Sequence, residues 1–256
     1  MSSGVSKTRP VWRIDNPWLW LAAGLFIVYV RGLLLDVMDV DASQYASISM
    51  EMLQNGHWLQ VQHRQADYLD KPPLLFWSSA LSFALFGLHN WAYKLPSFLA
   101  TILGVYATYR FCLLFYSPKT ARNAAFILAS SISLLVICND VRTDTLLMSM
   151  TVCAVWLLAE SLPRAGGAFL GLAMLAKGPI GLIVPAFGVG THLVLQRRWR
   201  DIFQWRWLLM LAVVAVVLAP MCWGLYQQFD LHPEKTVNQR TGVLFLLGTK
   251  FWAYHG

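Results

Sequence analysis

The chain has 256 residues, 57% of them hydrophobic and 13% charged, with a formal net charge of +7. A soluble domain carries about 25% charged residues, so the composition excludes an ordinary water-soluble fold. The positive balance does not point to nucleic acid, because the basic residues gather beside apolar runs, as the positive-inside rule of membrane insertion requires.

Lys7, Arg9 and Arg13 come first, ahead of an apolar run at residues 17–35 that is uncharged from Trp18 to Val30. No small-residue cleavage site follows before Arg31, so this run reads as a retained span with residues 1–16 cytoplasmic. Residues 36–71 are polar and carry Asp36, Asp39, Asp41, Glu51, Asp67 and Asp70. With the N-terminus inside, this acidic loop lies outside. Tyr45, Ile48, Met52 and, less cleanly, Leu53 share one helical face, which predicts an amphipathic helix lying on the membrane surface.

Residues 72–88 are apolar but number only 17, short for a span of roughly 20. Were they to cross, Lys119 would fall outside, against the charge rule. They are expected to form a juxtamembrane or re-entrant helix, with Pro72 and Pro73 in its first turn, where a missing amide costs no hydrogen bond. Further apolar segments occupy 95–116, 121–137, 146–162, 168–195 and 207–226. Arg110, Lys119 and Arg122, then Arg164, then Arg197, Arg198, Arg200 and Arg206 mark cytoplasmic turns. The turn at 139–145 therefore shares the outer face with Asp41.

Segment 168–195 is too short for two full spans, which need about 40 residues, and Lys177-Gly178-Pro179 interrupts it. A hairpin of two short helices with Lys177 near its tip reconciles these facts. The transmembrane region is thus expected over 17–228, with chemistry carried by outer loops at 36–72 and 139–145. Residues 229–256 should lie outside, beginning a C-terminal region cut short after the apolar run at 243–254. Within that tail, His232, Glu234, Lys235, Gln239 and Arg240 are candidates for substrate contact. Cys112, Cys138, Cys153 and Cys222 form no metal-type pair and read as small buried hydrophobes. His57 and His63 lack a diagnostic ligand spacing.

The outer loop places Asp41 ahead of Tyr45-Ala46, Glu51-Met52-Leu53 and Gly56-His57-Trp58, and closes with Lys71-Pro72-Pro73-Leu74-Leu75-Phe76-Trp77. This order resembles the aminoarabinose-transferase-like and protein-mannosyltransferase-like membrane glycosyltransferases of the GT-C fold. The likeness continues through Phe86-Gly87, Lys94-Leu95-Pro96-Ser97, Arg142-Thr143-Asp144-Thr145 and Lys177-Gly178-Pro179, over about residues 36–185. It implies an all-α polytopic membrane protein, a GT-C-type helical bundle with amphipathic juxtamembrane helices in the first outer loop. It also implies an inverting enzyme of the bacterial inner membrane. Such an enzyme moves a sugar from a polyprenyl-phosphate donor to a lipid, glycan or protein acceptor on the outer face. By the same resemblance Asp41 is the base or a metal-orienting carboxylate, Asp144 its partner, and Lys71 the contact to the donor phosphate. Asp70, Tyr45, Arg142 and Lys177 are supporting candidates. A divalent metal ion is a candidate cofactor, held by Asp41, Asp70 and Asp144.

Plainer readings stand beside these. Asp41 can act as a helix N-cap with Gln44 completing a capping box, and Asp144 as the cap of the next span. Lys71 can snorkel to the interface, and the Lys177 turn can serve packing alone. Relatives often carry Glu and Arg where this chain has Ala42 and Gln44, a loss that Lys71 or Arg64 can offset. They also run to roughly twice this length. A transporter with a broken helix at Lys177 and a non-catalytic membrane fragment are the competing functions.

Overall fold

A computed structural model describes residues 17–227 other than 38, 65 and 203. Lys7, Arg9 and Arg13, the tail from His232 to Arg240 and the run 243–254 lie outside the described residues. The described chain is helical except for one short hairpin. In order come α1 (Pro17–Leu33), α2 (Val40–Asn55), strands β1 (Gln62–His63) and β2 (Ala66–Asp67), α3 (Leu74–Phe86), α4 (Asn90–Leu113), α5 (Pro118–Ala129) and α6 (Ile132–Asn139). Then follow α7 (Thr143–Ala159), α8 (Pro163–Lys177), α9 (Ile180–Leu195), α10 (Trp199–Ile202) and α11 (Trp205–Leu225). The strands pair antiparallel, Gln62 with Asp67 and His63 with Ala66.

Contacts between helix ends give the direction of each element. The start of α1 meets the start of α5, where the Arg122 guanidinium lies 4.1 Å from the centre of the Trp18 ring. The far end of α1 meets the start of α4, where Lys94 Nζ donates to the Gly32 carbonyl at 3.2 Å. That lysine is almost wholly buried, and it adds a second donor to a carbonyl of the last turn of α1 that the Leu35 amide also reaches, at 3.3 Å. At the other end of α4, Arg110 pairs with Glu160, just past α7, at 3.1 Å. Helices α2 and α3 therefore lie between two elements that meet at one end of the bundle, and they make no net crossing. At 13 residues α3 is about 20 Å long, well short of a hydrocarbon core of about 30 Å. The short helix expected within 72–88 is thus present as α3. Pro72 and Pro73 precede it rather than enter its first turn, Pro73 serving as N-cap.

By length and apolarity alone, the stretch Trp199–Leu225 passes as a complete span, and α5 with α6 passes only as a pair. Helices α1, α3, α7 and α9 are apolar but shorter. The apolar segment expected at 121–137 is divided between two helices: α5 and α6 meet at a bend of 51°. The break falls at Ser130 and Ser131, and the Ser131 hydroxyl accepts from the Leu134 amide at 3.4 Å, starting a new helix. The hairpin expected at 168–195 is formed by α8 and α9. Gly178 turns the chain with φ +70° and ψ −150°, and Gly181 lies so close to Ala173 that an added Cβ would sit 2.4 Å from its carbonyl carbon.

Pro96 sits inside α4, where it cannot donate to the Ala92 carbonyl. Ser82 of α3 takes that acceptor instead, at 2.5 Å. The main core lies at this end, joining Tyr45, Ile48 and Met52 of α2 to Leu75 and Phe76 of α3, Tyr93 of α4 and Leu146 of α7. The amphipathic helix expected in the first outer loop is α2. Its apolar face is amphipathic as expected, but it is buried against protein, and the Tyr93 hydroxyl donates to the Ala42 carbonyl at 2.8 Å.

Candidate active site

The two acidic loops meet through the residues that open their helices. Asp39 is the N-cap of α2 and Arg142 the N-cap of α7. Neither side chain caps its own helix; they pair with each other, Arg142 Nη2 lying 3.5 Å from Asp39 Oδ2. Arg142 Nε also lies 3.8 Å from Asp140 Oδ2. Two helix N-termini are thereby brought together, and their unpaired amides and dipoles favour negative charge between them.

Asp41 and Asp144 each stand two residues beyond these caps, in the first turns of α2 and α7. The N-cap positions considered for them are therefore held by Asp39 and Arg142. Asp41 is exposed and makes no ion pair among the described residues. Asp144 is engaged: its Oδ1 accepts a short hydrogen bond from Lys177 Nζ. Lys177 ends α8 at the hairpin tip, so the ammonium also meets the negative end of its own helix.

One turn after Asp41, Tyr45 is buried edge-on to Phe76, with ring centres 5.8 Å apart. Tyr68 meets the same ring from another side, also at 5.8 Å. Burial first, and the Asp41 carboxylate second, push the Tyr45 phenol up to about 12. Burial also raises Tyr68, with Tyr45, Asp70 and Asp41 adding to the effect. Both phenols thus stay protonated near neutral pH and lie within the fields of Asp41 and Asp70. The Arg142 charge also reaches Tyr45.

Lys71 is half-buried beside Tyr68, Pro72, Pro73 and, from α11, Met221 and Leu225. Among the described residues it makes no ion pair. Its neighbour Asp70 is exposed. The structure therefore brings Asp41, Tyr45, Asp70 and Arg142 into one electrostatic cluster and ties Asp144 to Lys177.

The candidate metal set fits less well. No group of three or more His, Cys, Asp or Glu side chains able to hold an ion occurs among the described residues. Asp41, Asp70 and Asp144 accordingly do not gather around one point, and Asp144 is already neutralised by Lys177. His63 lies 3.4 Å from the Gln44 amide, and His57 is exposed.

Sequence reasoning missed Tyr68, Asp39, Asp140 and Lys94. Lys94 stands inside a motif quoted above, and Tyr68 three residues before Lys71. A lysine amid an apolar segment was itself a signal. Asp39 and Asp140 carry no local signal, because their role depends on two distant loops meeting.

A family model described as dolichyl-phosphate-mannose-protein mannosyltransferase matches residues 70–223. An undecaprenyl phosphate-alpha-4-amino-4-deoxy-L-arabinose arabinosyl transferase of Edwardsiella ictaluri is 30% identical over 224 residues, 81% of this chain and 40% of that protein. The transferase 1 of that description from Pseudomonas fluorescens is 27% identical over 223 residues, 80% of this chain and 39% of the relative. The chain thus spans about two fifths of the length of the curated relatives it matches. The fold is similar to the crystal structure of ArnT from Cupriavidus metallidurans in the apo state. The TM-score is 0.75 at 21% identity, over 84% of this chain and 42% of that one. The structure of the same protein bound to undecaprenyl phosphate gives a TM-score of 0.73 at 23% identity, with the same coverage.

Proposed function

The chain belongs to the dolichyl-phosphate-mannose-protein mannosyltransferase family, and from this we propose that it carries the catalytic loops of a glycosyltransferase with a polyprenyl-phosphate-linked sugar donor. It is an all-α integral membrane protein of the GT-C type. Its setting in this proposal is a bacterial inner membrane, with the start of the chain cytoplasmic and the acidic end of the bundle outside. The acceptor is a lipid, glycan or protein hydroxyl or phosphate.

The observation that carries this reading is the pairing of the two N-caps, Asp39 and Arg142, which sets the unpaired Asp41 at a junction of two helix N-termini. Asp41 takes the proton from the acceptor oxygen as that oxygen attacks the anomeric carbon. The bond from that carbon to the donor phosphate oxygen breaks, and polyprenyl phosphate leaves with the negative charge. Lys71 meets that charge with its ammonium, which no carboxylate of the described residues neutralises. Asp144 and Lys177 act as a pair that holds α7 against the α8–α9 hairpin, keeping the second loop in place. Tyr45 and Tyr68 present neutral phenols that can donate hydrogen bonds near Asp41 and Asp70.

Transfer of labelled sugar from polyprenyl-phosphate donors tests the assignment. Asp41→Asn should lower the rate by about 10²–10⁴-fold, the range of a positioned general base. Lys71→Ala should weaken donor use and the rate together. Full activity in Asp41→Asn would remove the mechanism.

A further inference from the structure

We propose that the basic end of the bundle, opposite the candidate active site, binds an anionic phospholipid, with one acyl chain between α1, α4 and α5 and the phosphate at Arg122. A groove of about 440 Å³ lies there, lined by Leu25 and Phe26 of α1, Phe98 and Val105 of α4, and Phe126 of α5. Helix α1 meets α5 at two places. At the basic end Trp18 stacks under Arg122 and touches Phe126, with ring centres 5.3 Å apart. Further along, the Tyr29 hydroxyl donates to the Ala129 carbonyl at 3.0 Å. The groove opens along the stretch bounded by these contacts.

Its length and its charge name the occupant. Along α4 the lining runs from Tyr109 to Phe98, twelve residues and so about 16 Å of helix. That is about half of a hydrocarbon core of about 30 Å, the depth of one leaflet. An acyl chain of that leaflet fits this depth, whereas a polyprenyl tail is far longer. The walls are almost entirely apolar, and Arg122 stands at the mouth. Its Nε is buried without a hydrogen-bond partner among the described residues. Arg110 nearby is neutralised by Glu160, whereas Arg122 and Lys119 have no acidic partner among the described residues. A guanidinium seated over an aromatic ring, with no acidic partner among the described residues, is suited to a phosphodiester. Juxtamembrane basic groups of this kind are drawn to anionic lipid surfaces. The proposal rests on the membrane assignment and not on the reaction at the other end.

The test uses the purified protein in detergent, titrated with phosphatidylglycerol or phosphatidylcholine of matched acyl chains. Native mass spectrometry reads the lipid retained. Phosphatidylglycerol should be retained about tenfold better, the order expected of one charge-assisted contact. Arg122→Gln should remove that preference, and Arg164→Gln, exposed at the same end but outside the groove, should keep it. Ala125→Trp fills the groove without altering charge and should lower retention of both lipids, which covers the case that Arg122→Gln perturbs folding. Equal retention of the two lipids by the unaltered protein would overturn the proposal. So would an unchanged preference in Arg122→Gln, or unchanged retention in Ala125→Trp. If polyprenyl phosphate displaced phosphatidylglycerol and its binding were lost in Arg122→Gln, the groove would be a donor site and the proposal would fail.

Discussion

Asp41 and Asp144 occupy equivalent places, the second residue of α2 and of α7, yet they differ in what faces them. Asp144 meets Lys177, and Asp41 meets no cation that neutralises it. Both stand at a helix N-terminus, so the difference in role comes from the partner. Because the Asp144 and Lys177 side chains are 42% and 31% exposed, solvent screens the pair. A double-mutant cycle of Asp144→Asn and Lys177→Met, read by thermal denaturation, should give a coupling of about 0.5–1 kcal/mol. Additive effects would mean the pair contributes nothing to stability. The Tyr45 phenol supplies a pH prediction. Its ordinary pKa of 10.0 rises to about 12 in the fold, so the folded state holds a proton that the unfolded chain has lost. Its contribution to stability is complete below pH 10 and is lost as pH rises toward 12. Tyr45→Phe should therefore flatten the fall in stability across that window, and an unchanged slope would contradict the assignment.

The α8–α9 hairpin shows what an element owes to single residues. Gly178 adopts a left-handed φ of +70° with ψ −150°, a region open almost only to glycine. Gly181 allows α9 to fold back onto the Ala173 backbone. Gly181→Ala should cost about 1–3 kcal/mol in thermal unfolding, since the contacting atoms are backbone and cannot step aside. An unchanged melting temperature would show that the hairpin opens easily. This hairpin was legible in the sequence, because Lys-Gly-Pro within an apolar stretch breaks a helix by covalent rules alone. The break between α5 and α6 was not. Ser130 and Ser131 are tolerated inside helices, and only the packed geometry shows Ser131 capping a new one. Helix α2 was half legible. The spacing of Tyr45, Ile48 and Met52 announced a buried stripe, but periodicity does not distinguish lipid from the protein core that covers it.

Across the whole molecule, basic residues mark one end of the helices and acidic loops the other. Trp18 against Arg122, and Arg110 against Glu160, locate the basic end; Lys94 on Gly32, and Lys177 on Asp144, locate the acidic end. This arrangement predicts opposite accessibility. A cysteine at Arg64 should be labelled by an impermeant thiol reagent from the outer side, and one at Lys119 only after the membrane is opened. Labelling of both from the same side would mean that α3 crosses, which would part the two acidic loops. Spheroplasts expressing each variant with Cys112, Cys138, Cys153 and Cys222 replaced provide the measurement.

The sequence by itself determined that the chain lives in a membrane, where its apolar segments lie, and that one of them turns back at Lys177-Gly178-Pro179. Those properties follow from apolar length, charge bias and helix-breaking residues, all additive along the chain. Motif order alone also singled out Asp41, Lys71 and Asp144. Only the tertiary structure decided which of these charges are free. Asp144 is bound by a lysine 33 residues away, and the loop of Asp41 is fastened through Asp39 to Arg142. Charge neutralisation falls steeply with distance and depends on where side chains meet. That meeting is set by the packing of α2, α3, α4, α7 and α8 around one core rather than by any local run of residues.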